Sequence, residues 1–458
     1  MNRDPVWADV ASCPTCRKGP LVKEAAGVTC TRCKATYPLL GGVPWLFREP
    51  ALVLGEWQNR LRLYLEEFRL EERIVRGELA GGAVSAAGRA RLTRLADAYA
   101  GQVRAVERIL APLALQPLPA PHAAMTGFDA RVPRHQDLHS YYVNLHRDWA
   151  WGDEENSLAL QEVSAVIPVQ APGCALVLGA GGCRLAYDLH QRGLFAHTVA
   201  LDINPLLLLA ARTVMTGGEV ELYEFPIAPR TAADHAVLRQ LRAPAAARAG
   251  LELVFADALD APFAPGSFDV VVTPWLVDIV DDDFAAFARR VNLLLRPGGV
   301  WINFGSVSFT GLRPSRRLGL EEVWERVADA GYAVLARHER EIPYMRSPAS
   351  RHSRRELVLT YAARKERDAS PPPPPPTLPA WLQDPRVPVP VTEQMEVTAV
   401  ASRLQAFVLS LVNGERSAAD LAAFLVEQKL LGAEAALAAV RGLLLRIYDG
   451  ERRRPPDG

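Results

Sequence analysis

The sequence contains no apolar run of the ~18 residues that a membrane span needs. Its first residues, MNRDPVWADVASCPTC, lack the apolar core of a secretory signal. Net charge is missing too: 52 lysines and arginines offset 52 aspartates and glutamates, so no global field recruits nucleic acid or a membrane surface, although a local basic patch is left open. Cysteine is scarce, with six in the chain. These absences point to the cytosol, where such thiols read as free groups or metal ligands rather than disulfides. What remains is ordinary globular material, 458 residues of which 49% are hydrophobic, enough for at least one sizeable core and for two to four domains.

Four of the six cysteines are grouped. In CPTCRKGPLVKEAAGVTCTRC, Cys13 and Cys16 form one CxxC pair and Cys30 and Cys33 a second. Two such pairs let four thiolates converge on one tetrahedral ion and leave no position open for water, the pattern of a structural zinc site. A pair of redox dithiols is the alternative, but a redox CxxC normally opens a helix in a larger fold, and here the second pair runs into KATYPLLGGVPWLF. With CPxC, a later cysteine pair, YP and a GxP turn, residues 1–50 resemble Trm112-like zinc ribbons. That resemblance implies a structural or docking role, and a protein partner engaged either there or through the C-terminal module.

Residues 51–135 carry two stretches with apolar residues at helical spacing, GEWQNRLRLYLEEFRLEERIVRGEL and GRARLTRLADAYAGQVRAVERILAPLAL, followed by a proline-rich loop. SPPPPPPTLP, within a linker placed at 367–380, reads as extended polyproline, a stiff spacer of roughly 3 Å per residue. Beyond it, 381–458 give three helical stretches with Asn413-Gly414 as a turn and Ser417 as an N-cap. Their apolar spacing resembles a winged-helix or PqqD-like module, and a plain helical bundle fits the pattern equally well.

Between these ends, 136–366 alternate strand and helix in the manner of a doubly wound α/β domain with a mostly parallel sheet. Strands are expected at Ala175 to Leu178, Thr198 to Asp202, Leu251 to Ala256, Phe268 to Thr273 and Val300 to Phe304. Helices are expected at Leu185 to Gln191, Pro205 to Val214, Asp283 to Leu295 and Leu320 to Ala330. Two closing strands, YAVLARHEREIPY and RELVLTYAARK, have no helix between them. A terminal hairpin on a seven-stranded, Rossmann-like sheet departs from dinucleotide dehydrogenases and resembles the class I methyltransferases, which use S-adenosylmethionine.

The turn in ALVLGAGGCRLAYDL fits that resemblance better than it fits a dinucleotide. Gly179, Gly181 and Gly182 are followed by Cys183 and Arg184, with no glycine three places after Gly181, so the pyrophosphate fingerprint is incomplete. S-adenosylmethionine carries no phosphate and needs only close backbone approach, which glycine permits. Asp202 in ALDINP stands where a carboxylate can accept both ribose hydroxyls, and Asp257 in FADALDAPF where one can bond the adenine amino group. Asn204 and Ala258 flank these two positions and join the candidate cofactor set.

RDW ahead of the domain, GAGGCRLAYDL, WLVDIVDD and LLLRPGGVWINFG are similar to motifs of the carnosine N-methyltransferase family, over roughly 140–364. The resemblance implies methyl transfer from S-adenosylmethionine to an imidazole nitrogen of a histidine-containing small molecule or peptide. It assigns Gly179, Gly181, Arg184, Asp202 and Asp257 to the cofactor, and Asp278 to the substrate imidazole. The family's tyrosine-rich segment is altered here to YMRSPASRHSRRELVL, where Tyr344 remains as a lining residue while His352, Ser353 and Arg354 replace others; Cys183 replaces the third loop glycine.

Such a reaction needs alignment and exclusion of water rather than a metal or a covalent intermediate. Imidazole, with an ordinary pKa of about 6.5, is largely neutral at pH 7; a carboxylate on one ring N–H frees the other nitrogen's lone pair and stabilises the growing positive charge. Two alternatives stand beside this one. A ribbon-bearing RNA base methyltransferase is disfavoured by the zero net charge, and its mark would be a continuous basic path to the pocket. A non-catalytic cofactor-binding scaffold would have its methyl side blocked.

Overall fold

A computed structural model describes residues 6–25, 27–82, 84–116, 138–168, 173–280, 282–309, 314–372 and 386–452. Most of the proline-rich loop after residue 116, Asp281 and most of the polyproline linker lie outside them. The chain divides into two compact units, residues 1–72 with 85–375, and 73–84 with 376–458.

In the first unit, a short helix α1 (Val6–Val10) precedes four antiparallel strands: β1 (Leu21–Lys23), β2 (Gly27–Cys30), β3 (Thr36–Leu40) and β4 (Val43–Pro44). Helix α2 (Pro50–Ala80) passes from the first unit into the second, and α3 (Ala86–Ile109) returns. Ser85 caps α3 by accepting the N–H of Gly88. Helix α4 (Leu138–His146) runs through a π-helical turn, Arg147–Trp151, into α5 (Asp153–Val166).

The α/β part follows as β5 (Cys174–Leu178), α6 (Arg184–Gln191), β6 (His197–Asp202), α7 (Pro205–Met215), β7 (Val220–Glu224), β8 (Val237–Leu241), β9 (Leu251–Phe255), β10 (Phe268–Pro274), α8 (Phe284–Leu294), β11 (Leu295–Gly305), α9 (Leu320–Asp329), β12 (Tyr332–Tyr344) and β13 (Arg354–Lys365). One seven-stranded sheet has the order β12-β13-β11-β10-β5-β6-β9. Strands β9, β6, β5, β10 and β11 are parallel, and β13 is antiparallel to both β11 and β12. This is the doubly wound sheet with a terminal hairpin that the sequence implies. Its central strands are covered on both faces, so CALVL and FDVVVTP are almost continuously apolar. Adjacent strands β5 and β10 lie where the topology reverses, and the crevice at their carboxyl ends is where open α/β sheets bind ligands.

The expected elements are present, with shifted ends: β11 starts at Leu295 rather than Val300 because Leu295 already pairs with Phe268 before a register shift. The β7–β8 ribbon was not expected. Its polar alternation is broken by buried Glu224, which pairs with Arg239 at 2.7 Å and so reads falsely as an exposed position. The four-stranded N-terminal sheet lies against the sheet edge: Trp45 bridges Phe255 of β9 in parallel, and the N–H of Leu46 donates to the Phe255 carbonyl at 2.8 Å.

In the second unit, helices Glu393–Ser410, Ala418–Glu427 and Ala433–Arg452 enclose a small core of Val408, Leu421, Ala422, Leu425, Ala436, Val440 and Leu443. Ser417 and Asp420 form a reciprocal capping box. No strand accompanies these helices among the described residues.

Candidate active site

The turn after β5 takes backbone conformations that explain its composition. Gly179 and Gly181 have φ of 68° and 56°. A β-carbon on Gly179 would collide with Leu276, one on Gly182 with the Asp148 carboxylate, and one on Gly181 would point into open space. That opening leaves backbone exposed for a ligand. Cys183 adopts φ 65° as a glycine would, and burial pushes its thiol well above the ordinary range.

Asp202 ends β6 with its carboxylate against this turn. Oδ2 accepts the Gly181 N–H at 2.7 Å and Oδ1 accepts the Asn204 N–H at 2.8 Å. Burial pushes its pKa up to about 6, against the pull of the backbone N–H donors of Asn204, Gly181 and Ile203. It does not cap α7. Asn204 does, its side-chain oxygen accepting the N–H of Leu206 at 3.0 Å, with Pro205 at the first helical position. The Asn204 oxygen is thus committed to the helix. Asp257, beyond β9, accepts the Leu259 N–H at 2.8 Å and opens a single 3-10 turn, Ala258–Asp260. Asp202, Asp257 and the glycine turn therefore meet at the carboxyl ends of β5, β6 and β9.

Arg184 is turned away to another task. Its Nε lies 2.9 Å from Asp188 Oδ2, and one terminal nitrogen donates to the Asp148 carbonyl at 2.6 Å. It therefore fastens the RDW segment to the glycine turn instead of presenting its charge to a ligand. Trp149 completes the attachment by donating Nε1–H to the Gly182 carbonyl at 2.8 Å. Within RDW, the partly buried Arg147 lies between buried Asp148 at 2.8 Å and buried Glu155 at 3.3 Å, and Glu155 accepts the Met345 N–H at 2.9 Å. One buried ionic group thus spans from the glycine turn to the end of β12. The π-helical turn that supplies it is a form that often marks functional sites. In the sequence alone RDW is a motif with no visible role.

The acceptor side lies beyond β10. Trp275 follows the strand with φ 51° and donates its N–H to the Phe304 carbonyl at 2.8 Å; Gly305 has to be glycine because a β-carbon there would strike the Trp275 backbone. This reversal sets Asp278 half-buried at the edge of the sheet, where Oδ2 accepts both the N–H and the hydroxyl of Ser308, at 3.1 and 3.2 Å. Among the described residues Oδ1 accepts no hydrogen bond. Asp283, not Asp278, caps α8. Tyr344 packs on Trp275 with ring centroids 4.6 Å apart, under the Arg354 guanidinium at 4.5 Å. Tyr141 of α4, which sequence reading missed, is in electrostatic reach of Asp202, Tyr344 and Asp278. Burial, then those three groups, push its phenol above the ordinary range.

In the N-terminal sheet, the four Sγ atoms of Cys13, Cys16, Cys30 and Cys33 all lie within 4.8 Å of one another. Cys13–Cys33 and Cys16–Cys30 are 3.6 and 3.7 Å apart, close to the ~3.8 Å edge of a tetrahedron with zinc–sulfur bonds of about 2.3 Å. Each knuckle ends in a left-handed residue, Arg17 and Lys34, and a β-carbon on Gly19 would collide with the Cys30 sulfur. The donor set fits a closed tetrahedral metal site.

Residues 176–303 match the family model described as "Methyltransferase domain". No curated protein matches the chain. Among solved structures, the N-methyltransferase NodS of Bradyrhizobium japonicum WM9 in complex with S-adenosyl-L-homocysteine is 15% identical with a TM-score of 0.32, covering 50% of this chain and 99% of that one. An S-adenosylmethionine-dependent methyltransferase of Thermotoga maritima is 15% identical with a TM-score of 0.30, covering 51% and 97%. At these scores the likeness says nothing of substrate. The matched segment and the sheet order make this region a methyltransferase domain of class I architecture.

Proposed function

Taking that methyltransferase domain as the premise, we propose that the protein transfers the methyl group of S-adenosylmethionine to an imidazole nitrogen of a histidine-containing small molecule or peptide. The observation that carries the reading is Asp278: a carboxylate beyond the carboxyl end of β10, fixed through one oxygen by Ser308 and three residues after Trp275, whose ring packs on Tyr344. Bound in the crevice, S-adenosylmethionine supplies an electrophilic methyl group. Gly179 and Gly181 admit it to the backbone, and Asp202 and Asp257 offer acceptors for its ribose hydroxyls and adenine amino group. Asp278 Oδ1 accepts the N–H of one imidazole nitrogen, which leaves the lone pair on the other directed away from the carboxylate. Its charge then stabilises the imidazolium as it forms. Tyr344 and Trp275 pack on the ring and exclude water. Transfer of labelled methyl to a panel of histidine-containing dipeptides and peptides, with RNA as the competing acceptor, tests the reading; label entering RNA alone overturns it. The four cysteines are assigned a structural Zn2+.

Asp202→Ala is expected to weaken S-adenosylmethionine binding by roughly 1.5 to 3 kcal/mol, the range for hydrogen bonds to a charged group. Calorimetric titration checks this; unchanged affinity removes Asp202 from the ribose site.

Cofactor affinity is also expected to depend on pH. Ribose hydroxyls donate to the ionised Asp202, whose pKa without ligand is about 6. Binding therefore favours the deprotonated form. Affinity rises roughly tenfold per unit as pH increases toward 6 and levels off above it. Titrations in buffers of different ionisation heat should show a proton released on binding below that point and none above pH 7.

A further inference from the structure

The side chains assigned to the cofactor so far meet its ribose and its adenine, and Arg184, the cation placed there from sequence, is bound to Asp188 at 2.9 Å. None of them serves the amino-acid end of S-adenosylmethionine. That end carries an ammonium group, and a positive charge drawn into a crevice needs an anionic acceptor in place of its water. Besides Asp202, one acidic side chain is set directly against the glycine turn, and it is Asp148 of the π-helical turn.

Asp148 is buried, and a β-carbon on Gly182 would collide with its Oδ2. The segment is fastened there, because the Asp148 carbonyl accepts from Arg184 at 2.6 Å while Trp149 Nε1 donates to the Gly182 carbonyl at 2.8 Å. The two carboxylate oxygens have different surroundings. Oδ1 accepts the Arg147 Nε–H at 2.8 Å and has a second nitrogen of the same guanidinium at 2.8 Å. Oδ2 accepts no hydrogen bond among the described residues, and it is not sealed from solvent. One residue before Gly182, a β-carbon on Gly181 would meet open space.

The surrounding charge points the same way. Arg147 also lies 3.3 Å from Glu155, so one guanidinium serves two carboxylates, and the next cation, Arg184, is matched by Asp188. Burial, with the Asp148 charge adding to it, pushes the Glu155 carboxyl above its ordinary range against the pull of Arg147. The group is short of one positive charge. A purely structural role explains the carbonyl and Oδ1, for which a neutral asparagine would serve. It leaves the charge and the second oxygen without a task.

We propose that Asp148 Oδ2 accepts the ammonium group of S-adenosylmethionine, which makes Asp148 a cofactor-binding residue and brings the buried group its missing cation. The inference rests on the cofactor half of the reading above and is independent of the methyl acceptor.

Calorimetric titration of the full-length protein tests it with three ligands: S-adenosylhomocysteine, its analogue without the amino group, and its analogue without the carboxyl group. The unaltered protein is expected to bind the deaminated analogue about tenfold or more weakly than S-adenosylhomocysteine, the scale of one charge-assisted hydrogen bond. In Asp148→Asn, affinity for S-adenosylhomocysteine and for the decarboxylated analogue falls by a similar factor, while the deaminated analogue binds both proteins alike. A carboxylate that only held the fold would weaken all three ligands together, and that result overturns the proposal. So does a deaminated analogue that binds the unaltered protein as tightly as S-adenosylhomocysteine, a comparison that stands even where Asp148→Asn fails to fold. In either case S-adenosylhomocysteine still binds the unaltered protein and the methyltransferase reading survives. Absence of S-adenosylhomocysteine binding to the unaltered protein overturns both.

Discussion

Asp278→Asn is expected to lower turnover by a factor on the order of 10² or more while leaving S-adenosylmethionine affinity nearly intact. The amide is almost isosteric, and Ser308 can still donate to its oxygen, so the loop after β10 should hold its shape. What changes is the atom that faces the acceptor. With the amide oxygen held by Ser308, the position of Oδ1 becomes an NH2 group, which cannot accept the imidazole N–H and favours the other tautomer. The charge that offsets the developing imidazolium is lost as well. Single-turnover rates at saturating cofactor, with whichever peptide the panel identifies, measure the step directly, and near-normal turnover removes Asp278 from the mechanism. Ser308→Ala separates fixing from chemistry, since it leaves the charge and loosens its orientation; a smaller loss is expected there.

The second large effect concerns the four cysteines. One zinc per chain is expected by metal analysis, and its removal by a strong chelator, or the change Cys30→Ser, should unfold the N-terminal sheet. Structural zinc contributes on the order of 10 kcal/mol to domains of this size, and strands of two to five residues cannot replace that by burial. Trp45, fully buried against Phe47 and Phe255, should report the change as a red shift in fluorescence. Cofactor binding should persist, because none of the residues assigned to the cofactor lies in this sheet. Metal content far below one per chain, or an unaltered tryptophan spectrum after chelation, overturns the assignment.

What could be read in the sequence was what a short segment fixes by itself. Cys13 with Cys16 and Cys30 with Cys33 are local pairs. The glycine turn, Asp202 and Asp257 each sit at the end of a buried strand whose apolar run is visible. Residues committed to local caps are legible too, yet easily misassigned: Asn204 before Pro205 carries the signature of a helix start, and the structure uses its oxygen for that. Arg184 was placed with the cofactor from its position in a motif, whereas its partners, Asp188 and the Asp148 carbonyl, belong partly to a segment 36 residues earlier. Tyr141 and the Arg147–Glu155 pair were invisible for the same reason. Their meaning depends on α4 and α5 being carried over to the carboxyl edge of the sheet, and no periodicity announces that. The β7–β8 ribbon escaped because a buried ion pair breaks its alternation.

The pairing of Trp45 with Phe255 also sets an order of events during synthesis. The N-terminal sheet closes its own ladder and gathers its four cysteines within the first 47 residues, but the edge it covers is made 210 residues after Trp45 (255 less 45). Asp260, which Arg17 and Arg48 grip, comes later still. At about 5 to 20 residues per second the ribosome takes roughly 10 to 40 seconds to cover that distance. All residues of the N-terminal sheet are therefore made before β9 emerges. Strand β9 is the end of a seven-stranded sheet, with a row of backbone donors and acceptors that would otherwise template aggregation between nascent chains. Placing the cap first means that this edge meets its cover as soon as it forms, whereas a circular permutant that moved the ribbon to the C-terminus would leave β9 bare until the last residues were made.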